Sequence, residues 1–199
     1  MSFRPASRLN VMGKLTYGFG VSVDGYTADR DGRIEWSAPD AELHQYWNDH
    51  ARDLAVSLYG RKLYDLMSAF WPTADQDPAA PPVVAEFSRL WRDLPKVVFS
   101  QTLEKVDWNS RLERGDVVEV ARKLKADTDG LMEVGGATLA APLVRAGLVD
   151  EFLVVVTPTA VGGGTPFFPP LDKWLPLDLK ENRTFPSGAV LLRYVPRPA

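Results

Sequence analysis

The sequence contains no cysteine, which excludes both a disulfide framework and a thiolate metal site. It also has no apolar run approaching the roughly 20 residues that a membrane-spanning helix needs, so no membrane partner is expected. A formal net charge of −3 provides no strong basic field, and nucleic acid is therefore not an expected partner either. These absences favour a cytoplasmic protein, because a chain without cysteine fits a reducing compartment.

The length and composition indicate a single domain. A chain of 199 residues that is 45% hydrophobic can build one good core. The first residues are polar and basic and lack the apolar centre of a signal peptide. We therefore predict a disordered tail over residues 1–12 and one domain over residues 13–197, with Met12 as a second candidate for the start of translation.

Hydrophobic periodicity predicts strands that alternate with helices. Residues 14–26 alternate with period two, and one face of this strand is unusually small because it carries Gly18 and Gly20. Further along the chain, buried strands and helical patterns alternate, which is typical of βαβ units and a mainly parallel sheet. The last pattern, residues 176–195, predicts an antiparallel β-hairpin at the sheet edge.

Two glycines stand at one strand–helix junction, Gly135 and Gly136. The first N–H groups of a helix have no internal partner and carry partial positive charge, and glycine lets an anion approach them closely. Ligands of open α/β sheets bind at this end of the strands. A phosphate site is one interpretation of the junction, and a tight turn that needs glycine only for its backbone geometry is the other.

Two more strand ends carry groups that suit an anion. Gly60 is followed by Arg61 and Lys62 at a predicted helix start, where two cations oppose the helix dipole unless an anion is bound nearby. The segment 100–102 offers hydroxyl and amide donors after a third strand. Three such ends in one parallel sheet favour a dinucleotide phosphate over three unrelated turns.

Five stretches occur in the order found in a known superfamily: VSVDGYTA, YGRKLYDLM, KVVFSQTLE, EVGGATLAAPLVRAGLVDE and PTAVGGGTPFF. On these the chain resembles the dihydrofolate reductase-like superfamily, and specifically the reductase domain of the bacterial bifunctional riboflavin-biosynthesis deaminase/reductase. The resemblance covers about residues 13–195. It implies an α/β fold with a mixed, mainly parallel sheet flanked by helices and a C-terminal antiparallel hairpin, in a stand-alone reductase.

The resemblance also implies a cofactor, NADPH, and commonly a homodimer. It places the cofactor phosphates at the Gly60 junction, the adenosine end at segment 100–102, the pyrophosphate at the Gly-Gly junction, and the nicotinamide and substrate beside the small face of the first strand. The residues that it assigns to the cofactor are Ser22, Gly60, Arg61, Lys62, Ser100, Gln101, Thr102, Gly135, Gly136, Ala137, Thr138 and Leu139.

The sequence departs from the riboflavin-pathway pattern at one position. Those reductases usually carry a glutamate directly before the Gly-Gly pair, where this chain has Val134, and its acid is Glu133. A shift of one residue on a strand turns a side chain to the opposite face. The departure favours stand-alone reductase-like proteins of unassigned substrate over a riboflavin-pathway enzyme.

Hydride transfer to a carbonyl or imine also needs a proton donor. Asp24, Glu42 and bound water are the candidates. Asp24 equally suits an Asp-Gly turn, and Glu42 equally suits a surface position in a first helical turn. A true dihydrofolate reductase, a non-catalytic NADP-binding module and a flavin-binding flavodoxin-like protein stay open as other readings of the same sites.

Several other features have two interpretations each. His44 and His50 are six residues apart on one predicted helix, so a shared metal is not expected, and we interpret both as packing or solvated residues. The stretch GGGTPFFPP, residues 162–170, predicts either a lid over the substrate or a glycine-rich turn with an aromatic plug. Trp36, Trp47 and Trp71 could line a flat pocket or pack in the core.

Overall fold

The computed structural model describes residues 13–198, so the predicted disordered tail lies outside the described residues. An eight-stranded sheet runs through this part of the chain in the order β5-β4-β3-β6-β1-β7-β10-β9. Neighbouring strands from β5 to β7 are parallel, and β10 is antiparallel to both β7 and β9. The predicted mixed, mainly parallel sheet with a C-terminal hairpin is confirmed.

The strand bounds follow the predicted order. The sheet strands are β1 (Lys14–Ser22), β3 (Leu54–Gly60), β4 (Lys96–Phe99), β5 (Ser110–Glu113), β6 (Leu131–Gly135), β7 (Glu151–Thr157), β9 (Leu177–Thr184) and β10 (Val190–Pro196). Two short strands, β2 (Tyr26–Ala28) and β8 (Thr165–Pro166), pair with each other in a separate ribbon. The helices are α1 (Ala41–Arg52), α2 (Arg61–Phe70), α3 (Pro82–Asp93), α4 (Val117–Asp127) and α5 (Ala137–Arg145).

The helices cover the sheet on both faces because each strand alternates its side chains. Tyr17 and Val134 point to one face and form a core with Ala121 of α4 and Leu143 of α5. On the opposite face, Leu153 and Leu191 pack against α1, and Tyr59 and Val98 pack against α2 and α3. The result is a three-layer arrangement of helix, sheet and helix.

Helix starts follow the expected capping chemistry in two places. Asp40 caps α1 and its Oδ1 accepts from the Leu43 N–H at 2.9 Å, while its Oδ2 accepts from the Ser187 N–H at 2.9 Å. These hydrogen bonds, the one from Leu43 foremost, lower the pKa of Asp40 to about 2. Asp116 caps α4 in the same way. The Asp40 carboxylate therefore both starts α1 and ties it to the C-terminal hairpin.

Four short elements were not predicted from periodicity. The segment 71–82, which contains four prolines, begins with a 3₁₀ helix, Trp71–Gln76. The edge strand β5 reads SRLE and lies half exposed, so it carries no apolar signature. The ribbon strands β2 and β8 are three and two residues long, too short for a period to show. Each of these elements depends on its partner rather than on its own pattern.

Candidate active site

Two adjoining cavities open toward the carboxyl ends of β1, β3 and β6. One, of about 270 Å³, is lined by Phe19, Trp47, Tyr59 and Phe87 among others, and we call it the aromatic cavity. The second, of about 640 Å³, is lined by Gly32, Gly60 and Gly136 among others, and we call it the glycine cleft. The two share a wall, formed by Phe19, Ile34, Leu63 and Leu66.

Two helix N-termini meet in the glycine cleft. Gly60 precedes α2 and Gly136 precedes α5, and neither helix start receives a side-chain capping bond. Ala137, Thr138 and Leu139 also line the cleft. Because the first N–H groups of both helices lack a side-chain partner, the cleft suits a ligand with two or more negative charges.

The Gly-Gly junction needs both glycines, for different reasons. A Cβ on Gly135 would lie 2.5 Å from Leu63 Cδ2 and 3.0 Å from the Tyr59 ring, so a side chain at this position would have to displace Leu63. Gly136 has a φ of +95°, which disfavours any residue with a Cβ. The junction therefore has the geometry of a tight turn, and Gly136 adds no side chain to the glycine cleft.

Arg61 and Lys62 lie at the mouth of the glycine cleft. Both are exposed and both line it. Arg61 Nη1 lies 3.4 Å from Asp65 Oδ2, which is a long contact between exposed groups and worth little. The two cations are thus available to a phosphorylated ligand beside two helix N-termini.

The third predicted strand end lies differently from the other two. Ser100 Oγ accepts from the N–H groups of Thr102 and Leu103 at 3.2 and 3.0 Å. Gln101 Nε2 donates to the Arg114 carbonyl at 2.9 Å. None of Ser100, Gln101 and Thr102 is part of the cleft lining, to which this strand end contributes Phe99. Their polar groups shape the turn after β4.

The aromatic cavity is built on the small face of β1. A Cβ on Gly18 would lie 3.3 Å from the Trp47 ring, and one on Gly20 would lie 3.3 Å from Ser37 Cβ. Gly18 thus lets α1 bring the Trp47 ring close to the sheet. Of the three tryptophans considered from sequence, only Trp47 lines this cavity.

A His–Glu pair forms the polar end of the aromatic cavity. His50 Nε2 lies 2.9 Å from Glu133 Oε2, and the two side chains are only 11% and 17% exposed. Burial alone would lower the pKa of His50, but the hydrogen bond and the charge of Glu133 raise it, and the net pKa lies above its ordinary value. Glu133 therefore stabilises the protonated form of His50 relative to that of a free imidazole.

Sequence reasoning missed this pair, although a signal was present. Leu43, Trp47 and Ala51 form the apolar stripe of α1, and all three line the cavity. His50 falls on the same stripe, so a titratable group on a buried face was visible in the spacing. Its partner Glu133 lies 83 positions further on and could not be found from this spacing. The one-residue shift before the Gly-Gly pair turns Glu133 into the cavity, and Val134 is fully buried in the opposite core.

The residues proposed from sequence near the substrate lie outside both cavity linings. Asp24 accepts from the N–H groups of Val161 and Gly162 at 3.1 and 2.7 Å, and hydrogen bonds, with Ser22 first, lower its pKa. Ser22 Oγ accepts from the Tyr26 N–H at 3.0 Å. Glu42 pairs with Arg183 at 2.6 Å on the surface. In this structure Ser22 holds the turn after β1, Asp24 holds the loop at Val161 and Gly162, and Glu42 ties α1 to the hairpin.

Two alternatives were considered for residues 162–170, a lid over the substrate and a glycine-rich turn with an aromatic plug. The stretch forms the turn with the plug. Phe167 is 2% exposed, and its ring stacks on Tyr17 with centroids 4.2 Å apart. The Tyr17 hydroxyl donates to the Phe167 carbonyl at 3.2 Å. Neither cavity lining includes Gly162, Gly163 or Gly164.

Within residues 13–198, no group of three or more His, Asp or Glu side chains is placed to hold a metal ion. No helix in the same range is long and apolar enough to cross a bilayer. His44 hydrogen-bonds Asn48 through Nδ1 at 3.1 Å and packs edge-on against Trp71, apart from His50.

Comparison with known proteins agrees with this architecture. Residues 13–191 match the family described as RibD C-terminal domain, and the chain belongs to that family. It is 28% identical to the uncharacterized protein YyaP of Bacillus subtilis over 91% of this chain and 94% of YyaP. Because YyaP is matched over nearly its whole length, the family includes proteins of about this size.

Two solved structures share the fold. A proposed riboflavin biosynthesis protein from Shewanella sp. PV-4 superposes with a TM-score of 0.73 at 20% identity, over 93% of this chain and 99% of that one. Dihydrofolate reductase from Enterococcus faecalis, in complex with NADP(H), superposes with a TM-score of 0.64 at 14% identity, over 96% and 100%. The dihydrofolate reductase-like fold is thereby confirmed, and the family supports a reductase-like role.

Proposed function

We propose that the chain is an NADPH-dependent reductase that transfers a hydride to a small heterocyclic, carbonyl or imine substrate. The observation that carries the proposal is the shared wall of the two cavities. A dinucleotide in the glycine cleft and a substrate in the aromatic cavity would meet at Phe19, Ile34, Leu63 and Leu66. When bound, NADPH supplies the hydride, and the apolar wall excludes water from the point of transfer.

The glycine cleft fits a phosphorylated dinucleotide in shape and charge. The N-termini of α2 and α5 offer unpartnered N–H groups, and Arg61 and Lys62 add two positive charges. The absence of a side chain at Gly136 keeps the backbone open to a pyrophosphate. The complex of the Enterococcus reductase with NADP(H) supports the same choice of cofactor.

The proposal is tested by titrating the purified protein with NADPH and, separately, with NADH, following the fluorescence of the bound nicotinamide. We expect binding of NADPH to be tighter than that of NADH. Lys62→Ala should weaken NADPH binding several-fold, because it removes a cation from the cleft mouth. Lys123→Ala is the matched control, since Lys123 is exposed on α4 and does not line the cleft. If neither nucleotide binds, the proposal is wrong.

A second substitution tests the Gly-Gly junction itself. We expect Gly136→Ala to weaken NADPH binding about tenfold, because a non-glycine residue at positive φ costs about 1–2 kcal/mol and the first turn of α5 must shift. Gly188→Ala also places a non-glycine residue at positive φ, +84°, but lies in the turn between β9 and β10. Equal loss of binding in the two variants would contradict a role for Gly136 in the cradle.

A further inference from the structure

The aromatic cavity has an unusual set of charged side chains for a site that would bind a phosphorylated substrate. Its lining, drawn from residues 13–198, includes no lysine and no arginine. Among residues 13–198, the His, Asp and Glu side chains of this lining are His50 and Glu133, and they pair with each other. The remaining lining is apolar or aromatic, apart from Ser37 and the Tyr59 hydroxyl.

A phosphate group would be poorly accommodated in such a cavity. Burying a dianion is costly here, because His50 is already paired with Glu133, and the Glu133 carboxylate would repel it. The cavity volume of about 270 Å³ also lies just below the range of about 300–1,000 Å³ for small-molecule sites. Both charge and size favour one or two fused rings without a sugar phosphate.

The polar pair is arranged to recognise a heterocycle. Glu133 Oε2 faces His50, and among the described residues no protein group hydrogen-bonds Oε1. A carboxylate oxygen without a protein partner can accept from a ring N–H or an exocyclic amine. The flat aromatic walls, with Trp47 against Gly18, suit the faces of a ring.

We propose that the aromatic cavity binds a flat, uncharged and unphosphorylated nitrogen heterocycle, which Glu133 holds and His50 protonates. The proposal rests on the proposed reductase function for its chemistry. When a hydride adds to the carbon of a C=N bond, the π pair moves to nitrogen, which takes the proton from the His50 imidazolium. The substrate is reduced by two electrons, NADPH is oxidised to NADP⁺, and solvent returns a proton to His50.

The surroundings of His50 favour this protonation role. Glu133 faces it directly from β6, Glu151 lies further along on β7, and Asp53 follows α1. Glu151 is itself paired with Lys14 and with Arg193, which leaves Glu133 as the main partner. The proton is therefore held by the one carboxylate that also faces the substrate.

The binding half is tested without cofactor, by calorimetry with adenine, cytosine and hypoxanthine and with the 5′-monophosphate of each. We expect at least one free base to bind ten or more times more tightly than its monophosphate. Glu133→Gln should weaken binding of that base about tenfold, and His44→Gln, the matched histidine on the same helix, should not. Failure of all three bases to bind, or tighter binding of the monophosphates, would overturn the proposal.

The protonation half is tested in two ways. By NMR titration, the pKa of His50 should fall in Glu133→Gln and stay unchanged in His44→Gln. With 3,4-dihydroisoquinoline, a flat cyclic imine, as probe, His50→Gln should lower kcat for NADPH oxidation about 100-fold and remove the high-pH limb of the profile. An unchanged His50 pKa in Glu133→Gln, or no turnover of this imine by the wild type, would count against His50 as the donor.

The two proposals fail in distinguishable ways. A protein that binds NADPH but prefers monophosphates in the aromatic cavity would retain the proposed function and lose the proposed substrate class. A protein that binds free bases but neither NADPH nor NADH would lose the proposed function and keep the cavity as a heterocycle site.

Discussion

Gly164→Ala is expected to lower the free energy of unfolding by about 4 kcal/mol, a loss of the size that only steric or buried-polar defects produce. A Cβ at this position would lie 1.9 Å from the Ala28 carbonyl oxygen and 2.7 Å from the Asp29 carbonyl carbon. Both are backbone atoms of the neighbouring segment and cannot rotate away. The φ of +144° adds strain, because this region is accessible almost only to glycine.

The loss should spread beyond the loop. Gly164 immediately precedes β8, which pairs with β2, and Phe167 follows with its ring stacked on Tyr17 in the core. Displacing the loop therefore pulls on an aromatic side chain at the centre of the larger core. We expect a lower urea midpoint in equilibrium unfolding, and a lower melting temperature by near-ultraviolet circular dichroism.

Gly162→Ala is the matched control in the same loop. Its φ is +71° and an added Cβ would meet no atom within 4 Å, so only the backbone preference of about 1–2 kcal/mol is lost. Equal destabilisation by the two substitutions would show that the close approach of Gly164 to Ala28 is not what requires glycine there.

Lys96→Met is expected to lower the free energy of unfolding by about 3 kcal/mol. Lys96 is 2% exposed, and its Nζ donates to the carbonyls of Trp91 and Leu94 at the end of α3. Nζ also lies 4.3 Å from the centroid of the Trp91 ring. Methionine fills similar space but leaves two helix carbonyls without this donor, and hydrogen bonds to charged groups contribute about 1.5–3 kcal/mol each.

The contribution of Lys96 to the free energy of unfolding should also depend on pH, which a side chain that only fills space would not show. Burial lowers the pKa of Lys96 to about 8 from an ordinary value of 10.5. Between these two pH values the unfolded chain binds more protons than the folded one, so the Lys96 contribution makes stability rise with pH across that window. Urea unfolding at pH 7 and pH 10 measures the effect.

We expect the stability difference between wild type and Lys96→Met to grow from pH 7 to pH 10. Lys123→Met, a substitution at an exposed position of α4, should stay within about 0.5 kcal/mol of wild type at both pH values. A difference between wild type and Lys96→Met that does not change with pH would contradict the lowered pKa.

Much of the fold was predictable because its signals are local. The period-two pattern of β1, the helical stripe of α1 and the glycines at the ends of β3 and β6 each lie within a dozen residues of sequence. A strand that buries one or both faces can be recognised from the pattern of its own side chains. The edge strand β5 and the ribbon strands could not be recognised in this way, because they are short and half exposed and only their partners hold them in place.

The candidate site likewise has one part that was predictable from local sequence and another part that was not. The glycine cleft could be located from sequence, because a strand end, a glycine and a helix start are neighbours in the chain and parallel strands bring such ends together. The roles of Ser100 and Asp24 could not be judged in that way. Whether a hydroxyl or carboxylate is free depends on which backbone N–H groups reach it, and for Asp24 these come from a loop 137 positions away.

The sequence by itself determined the alternation of strands and helices, the small face of β1 and the two glycine junctions, since each follows from backbone preference and side-chain size at neighbouring positions. Only the tertiary structure decided that His50 meets Glu133, that Glu133 rather than Val134 faces the aromatic cavity, and that the part of the chain described here, residues 13–198, places no lysine or arginine in the lining of this cavity. Those properties arise where α1 packs across β1 onto β6, and a contact between distant segments is set by packing rather than by either segment alone.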